Sequence, residues 1–116
     1  ARADRVEYLL KLLGTPRTID FGGEGITGWK ANPKHPFDTA RLRRVIEVVA
    51  EKSGWAKKPA TAGRALGIAA HYSFLSYIAT VVEVEVNARW QVKIPSVHVA
   101  VDPGLAMKTY FVPQGI

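Results

Sequence analysis

The chain has 116 residues, enough for one domain with a buried core, and its 47% hydrophobic and 22% charged residues argue against disorder throughout. It contains no cysteine, which excludes disulfides, Cys-ligated zinc and Cys-ligated iron–sulfur clusters, and its apolar runs are too short to cross a bilayer as a helix. The net charge of +6 is concentrated between Lys34 and Arg64, where eight basic residues and three acids leave a local +5. Such a segment suits nucleic acid, an acidic protein or an anionic cofactor, although charge runs more often form a solvated helix face beside a lysine-rich loop.

Residues 1–14 read as a helix. Asp4 and Glu7 have capping-box spacing, Val6, Leu9, Leu10 and Leu13 share one face, and Gly14 and Pro16 stop the segment. Residues 15–37 read as a loop rich in glycine and proline, with a short strand possible over Thr18 to Phe21. The run GGEGITG lacks both dinucleotide and P-loop spacing, and its acid would repel phosphate. Residues 38–54 carry the clearest helix. Asp38 or Thr39 caps it, and Leu42, Val45, Ile46 and Val49 form the apolar stripe. Arg41, Arg43, Arg44, Glu47 and Glu51 fall largely outside, with Arg43 and Glu47 four apart. Gly54 is the expected left-handed cap, with Trp55 folding back onto the last turn, and 56–63 is a linker.

Residues 64–104 carry the strands. A first strand is expected over 64–72, and the segment from His71 to Tyr77 is a Ser/Tyr-rich corner. In ATVVEVEV, Val82, Val84 and Val86 alternate with Val81, Glu83 and Glu85, which predicts a buried valine face and a mostly wet face. Val97, Val99 and Val101 repeat the pattern after Pro95, which marks a bulge or an edge. The connection 87–91 suits a hairpin. Residues 105–116 form an atypical tail. The expected fold is α+β, two helices packed on a small antiparallel sheet or hairpin, as a single domain or a fragment of one.

These segments together resemble a known family. DRVEYLLKLLGTPR, FDTARLRRVIEVVAEKSGW, GRALGIAAHYSFLSYIATVVEVEVN and VHVAVDPG, in that order, resemble part of the large, molybdopterin-binding subunit of the xanthine oxidase/aldehyde oxidase family, in its isoquinoline 1-oxidoreductase-like branch. Such subunits run to several hundred residues, so the resemblance is to a fragment of the molybdopterin-binding domain. It implies an enzyme that hydroxylates aldehydes or N-heterocycles at a molybdenum–pyranopterin centre. There the oxygen comes from water, a glutamate serves as general base, and electrons leave through iron–sulfur centres. It also implies partners, namely the rest of the large subunit and an iron–sulfur subunit, and a bacterial cytoplasm or periplasm.

The departures matter as much. None of Glu7, Glu24, Glu47, Glu51, Glu83 and Glu85 sits in the family's Gly-Glu context, and the cofactor-holding Gly/Gln-rich loops are missing. After Asp102-Pro103-Gly104 the family continues with an Asn-Pro step, whereas this chain reads LAMKTYFVPQGI; Trp90 also stands where a glycine is common. No catalytic residue and no metal ligand is therefore assigned, and no cofactor is expected on this chain alone. Within the intact subunit His71, Ser73, Ser76 and Tyr77 are the candidate cofactor contacts, with polar packing and turn chemistry as the plainer explanation. His35 and His98 lack ligand spacing to His71. Asp102 reads as a turn residue, and Trp29, Trp55 and Trp90 as packing residues. On its own the chain is expected to expose apolar surface and to form a homo-oligomer or bury that surface against another polypeptide, away from membranes and with nucleic acid the lesser prospect. The alternative function is a small basic binding module for nucleic acid or an acidic protein.

Overall fold

A computed structural model describes residues 4–19 and 36–104. The glycine-rich run, Trp29, His35 and the tail 105–116 lie outside them. The first helix, α1 (Arg5–Leu13), starts where Asp4 accepts hydrogen bonds from the backbone N–H groups of Val6 and Glu7, as the capping spacing predicts. Two short strands, β1 (Thr18–Ile19) and β2 (Phe37–Asp38), pair antiparallel. They lead into α2 (Thr39–Ser53), whose N-cap is Asp38 and whose C-cap is Gly54 at φ 72°, ψ 32°. After one 3₁₀ turn at Trp55–Lys57 come β3 (Arg64–Ser73), β4 (Ser76–Val86) and β5 (Val92–Asp102). They form an antiparallel sheet in the order β3-β4-β5. The architecture is α+β: helices on one side of a three-stranded sheet, with β3 and β5 as its edges.

The core sits between α2 and the middle strand. Leu42, Val45, Ile46 and Val49 of α2 pack on Tyr77, Ala79 and Val81 of β4, with Val6 of α1 closing the side. The stripe predicted for α2 is thus the buried one. Its flank departs from expectation. Arg41 and Arg43 are not simply solvated: Arg41 turns to the sheet, and Arg43 donates to the carbonyls of Leu10 (2.7 Å) and Gly14 (2.9 Å) at the end of α1. A guanidinium satisfies the orphan carbonyls there and complements the negative pole of the helix. Its contact with Glu47 is a marginal 3.9 Å.

The larger correction concerns the sheet. Helix α2 covers the face of Tyr77, Ala79, Val81 and Glu83, not the face of Val82, Val84 and Val86. Alternation identifies which residues share a face but not which face receives the helix. The covered face of β4 carries a single valine, Val81, against Val82, Val84 and Val86 on the other, so the count of valines pointed to the opposite face. Ala79 is small enough for α2 to lie close, and Glu83 is tolerated because cations reach it. Pro95 behaves as predicted. β5 is an edge strand, and the register slips between Glu83↔Ser96 and Glu85↔Lys93, leaving Ile94 and Pro95 opposite Val84.

Two turns carry strain. Phe74 and Leu75, at φ 49° and 62°, join β3 to β4 where Asn-Gly would be usual, so the expected corner is a two-residue hairpin turn. In the β4–β5 connection Trp90 sits at φ 60° and is 86% exposed. That conformation disfavours any side chain. Replacing Trp90 with Gly is therefore expected to raise unfolding free energy by about 0.5–1 kcal/mol, the relief of strain exceeding the added chain entropy. Urea unfolding at one fixed protein concentration measures it.

Candidate functional site

The four residues singled out from the sequence all lie around the β3–β4 turn, but on two sides of the sheet. His71, Ser73 and Ser76 are on the face away from α2, with His71 paired to Ile78 and Ser73 to Ser76. Tyr77, adjacent to Ser76 in the same strand, necessarily points the other way, into the core at 1% exposure. Its hydroxyl accepts a hydrogen bond of 2.8 Å from the backbone N–H of Asp38, the residue that caps α2. The hairpin therefore brings three of the four together and assigns the fourth a packing role.

Around Tyr77 the described residues assemble a polar–aromatic cluster. Phe37 meets Tyr72 edge-on at 4.9 Å between ring centroids, and Tyr72 lies 4.8 Å from Tyr77. The guanidinium of Arg41 stacks over the Tyr77 ring at 4.5 Å and grips Asp102 through two hydrogen bonds, Nε to Oδ2 at 2.7 Å and an Nη to Oδ1 at 2.8 Å. Asp102 also accepts from the N–H of Gly104, so its predicted turn role holds and the ion pair adds to it. The hydrogen bonds from Arg41, then the one from Gly104, hold the Asp102 carboxyl down at about 2. The same pair raises Arg41, and burial raises Tyr72.

The depressed Asp102 makes a pH prediction. Its ordinary value is 3.8, so the stabilisation is fully present above about pH 4 and is lost as pH falls toward 2. Because the Asp102 side chain is 34% exposed, screening reduces the contribution to about 1 kcal/mol. Asp102→Asn should lose that amount at pH 7 and flatten the stability profile between pH 4 and pH 2, as urea titrations across that range will read.

A second cluster closes the other end of the sheet. Glu83, 7% exposed, accepts from Ser96 Oγ at 2.9 Å and pairs with Arg64 (3.0 Å) and Lys58 (3.5 Å). The Ser96 hydrogen bond first, then the charges of Lys58 and Arg64, keep its carboxyl low against the opposing effect of burial. Trp55 reaches past the end of α2 to donate its indole N–H to Asp4 at 2.8 Å, and this bond lowers Asp4. Sequence reading missed these links. The one available signal was an acid set among valines at Glu83, which demands a cation.

Chemically, the arrangement is closed. The buried Glu83 and the half-buried Asp102 have partners within the chain, and the Tyr77 hydroxyl is occupied. Among the described residues no group of three or more His, Cys, Asp or Glu side chains is placed to hold a metal ion. Two shallow cavities, of about 290 Å³ beside Gly63, Glu85 and Gln91 and about 270 Å³ beside Trp55, Lys58 and Leu66, are lined by none of the four candidate residues. No protein-family model, curated protein or solved structure matches the chain.

Proposed function

We propose that this chain is a structural part of the molybdopterin-binding subunit of a molybdenum hydroxylase, without turnover of its own. The observation that carries the reading is the ordered run from FDTARLRRVIEVVAEKSGW through GRALGIAAHYSFLSYIATVVEVEVN to VHVAVDPG, which resembles consecutive segments of that subunit. The inward ionisable groups support it. Arg41, Asp102, Lys58, Arg64 and Glu83 are engaged with one another in ways that stabilise a wall and leave little to drive chemistry. In the larger subunit His71, Ser73 and Ser76 would be the groups available to a cofactor, while Tyr77 holds the hairpin to α2.

The same pairings weigh against the basic binding module. Four cations of the basic segment, Arg41, Arg43, Lys58 and Arg64, serve contacts within the chain, which leaves Arg44, Lys52 and Lys57 without an ion pair among the described residues. The decisive experiment is to sequence the DNA on both sides of the coding region and to assay the purified chain. The flanking DNA is expected to encode the remaining cofactor loops and the Gly-Glu segment. The chain itself should contain no stoichiometric molybdenum and should not oxidise aldehydes or N-heterocycles. Flanks without those segments would overturn the family reading, and molybdenum-dependent turnover would overturn the inactivity. Salt-sensitive retention on DNA would favour the binding module instead.

A further inference from the structure

The sheet face opposite α2 has no cover among the described residues. It presents Ile78, Val82 and Val84 along β4 beside Val97, Val99 and Val101 of β5, the last three 55%, 53% and 52% exposed. Thr80 of β4 also lies on this face, and the β3 partners of Thr80, Val82 and Val84 are small, Ala69, Gly67 and Ala65, whereas Ile78 is paired with His71, so over most of its length the surface has a raised valine half and a low alanine–glycine half. Among the described residues of this face there is no Asp, Glu, Lys or Arg; His71 stands near one end. Three strands about 4.8 Å apart and about 10 residues long make a patch of about 500 Å² in plan. Two such patches together reach the roughly 1,000 Å² that a specific interface needs.

We infer that this face is a dimerisation surface whose occupant is a second copy of the chain, packed sheet to sheet. Two observations select the second copy. The first is shape: on a two-fold axis the valine half of one copy meets the alanine–glycine half of the other, so a single surface complements itself. The second is charge. A chain of net charge +6 repels its own kind unless the basic groups are kept apart. Its basic helix α2 lies on the opposite side of the sheet. With sheets packing about 10 Å apart and each helix layer about 10 Å beyond its sheet, the two α2 helices end about 30 Å apart. That is several times the roughly 8 Å Debye length at physiological salt. A nucleic acid would find no cation on this face, and an acidic protein no partner for its charge. The dimer is expected of the chain by itself; within a larger subunit the same face, which carries His71, Ser73 and Ser76, would be covered by the rest of that subunit.

The test is the mass of the full chain by light scattering and sedimentation equilibrium, between about 1 and 200 µM, a range that brackets the affinity of a modest interface. The expected result is a dimer of twice the 12.7 kDa chain mass. Val99→Lys is expected to weaken dimerisation by about 100-fold, since it buries two ammonium groups in a layer that holds no carboxylate to pair with them. Because Val99 is half-exposed in one copy, the variant should keep the parent far-UV spectrum. Arg44→Glu, on the exposed side of α2, should dimerise at least as well as the parent. A parent chain that stays monomeric at 200 µM overturns the inference. So does a Val99→Lys dimer of unchanged affinity, which would place the contact at the β3 or β5 edge.

Discussion

Tyr77→Ala is expected to lower the unfolding free energy by about 3–5 kcal/mol, a large part of what a domain of this size possesses. The side chain is 1% exposed and stands where three elements meet. Its ring lies 4.8 Å from that of Tyr72 and 4.5 Å from the Arg41 guanidinium, and its hydroxyl takes the backbone N–H of Asp38. Truncation opens a cavity beneath α2 and removes the surface on which the Arg41–Asp102 pair rests. Tyr77→Phe separates the two roles. It keeps the ring and leaves the Asp38 N–H unsatisfied, for a loss of about 1–2 kcal/mol. Urea unfolding should be followed by circular dichroism at one low protein concentration, because association shifts the apparent stability. Equal losses in the two variants would mean that the hydroxyl, not the ring, organises the hairpin.

Tyr77 also shows how far the sequence could be read. Helix α2 was legible from end to end, because its cap, stripe and terminal glycine are local signals that agree with one another. The strands were legible as strands for the same reason. The choice of covered face was not, since it depends on where α2 docks, and that face of β4 carries a single valine, Val81, against Val82, Val84 and Val86 on the other. The placement of the four candidate residues on two sides of the sheet was equally hidden. Ser76 and Tyr77 are neighbours in one strand, so they could never face a common ligand once the strand is known to begin at Ser76. What hid that boundary was the turn. Phe74-Leu75 carries none of the chemistry that marks a two-residue hairpin, and the segment looked like an irregular corner. The contacts Arg41–Asp102 and Trp55–Asp4 join residues 61 and 51 positions apart, a separation over which no periodic signal operates.

A different kind of position governs the start of β3. Gly63 stands at φ 81°, in the turn where Thr61 and Arg64 exchange backbone hydrogen bonds, and its carbonyl accepts the N–H of Val86 at 2.7 Å. This bond ties the start of β3 to the last residue of β4. A Cβ at Gly63 would lie 2.7 Å from the Val86 carbonyl oxygen, a contact with backbone that no rotamer change relieves. Gly63→Ala therefore combines left-handed strain with a forced separation of the strands, and a loss of about 2–4 kcal/mol is expected. Gly67, four residues on, supplies the internal contrast. Nothing lies within 4 Å of its built Cβ and its φ is not positive, so Gly67→Ala should be neutral or stabilising by up to about 1 kcal/mol. The amide of Val86 should lose hydrogen-exchange protection in Gly63→Ala and keep it in Gly67→Ala. If both variants were equally stable, the β3 end of the sheet would be held by the Arg64–Glu83 and Lys58–Glu83 pairs rather than by the turn, and Glu83 would become the residue on which that edge depends.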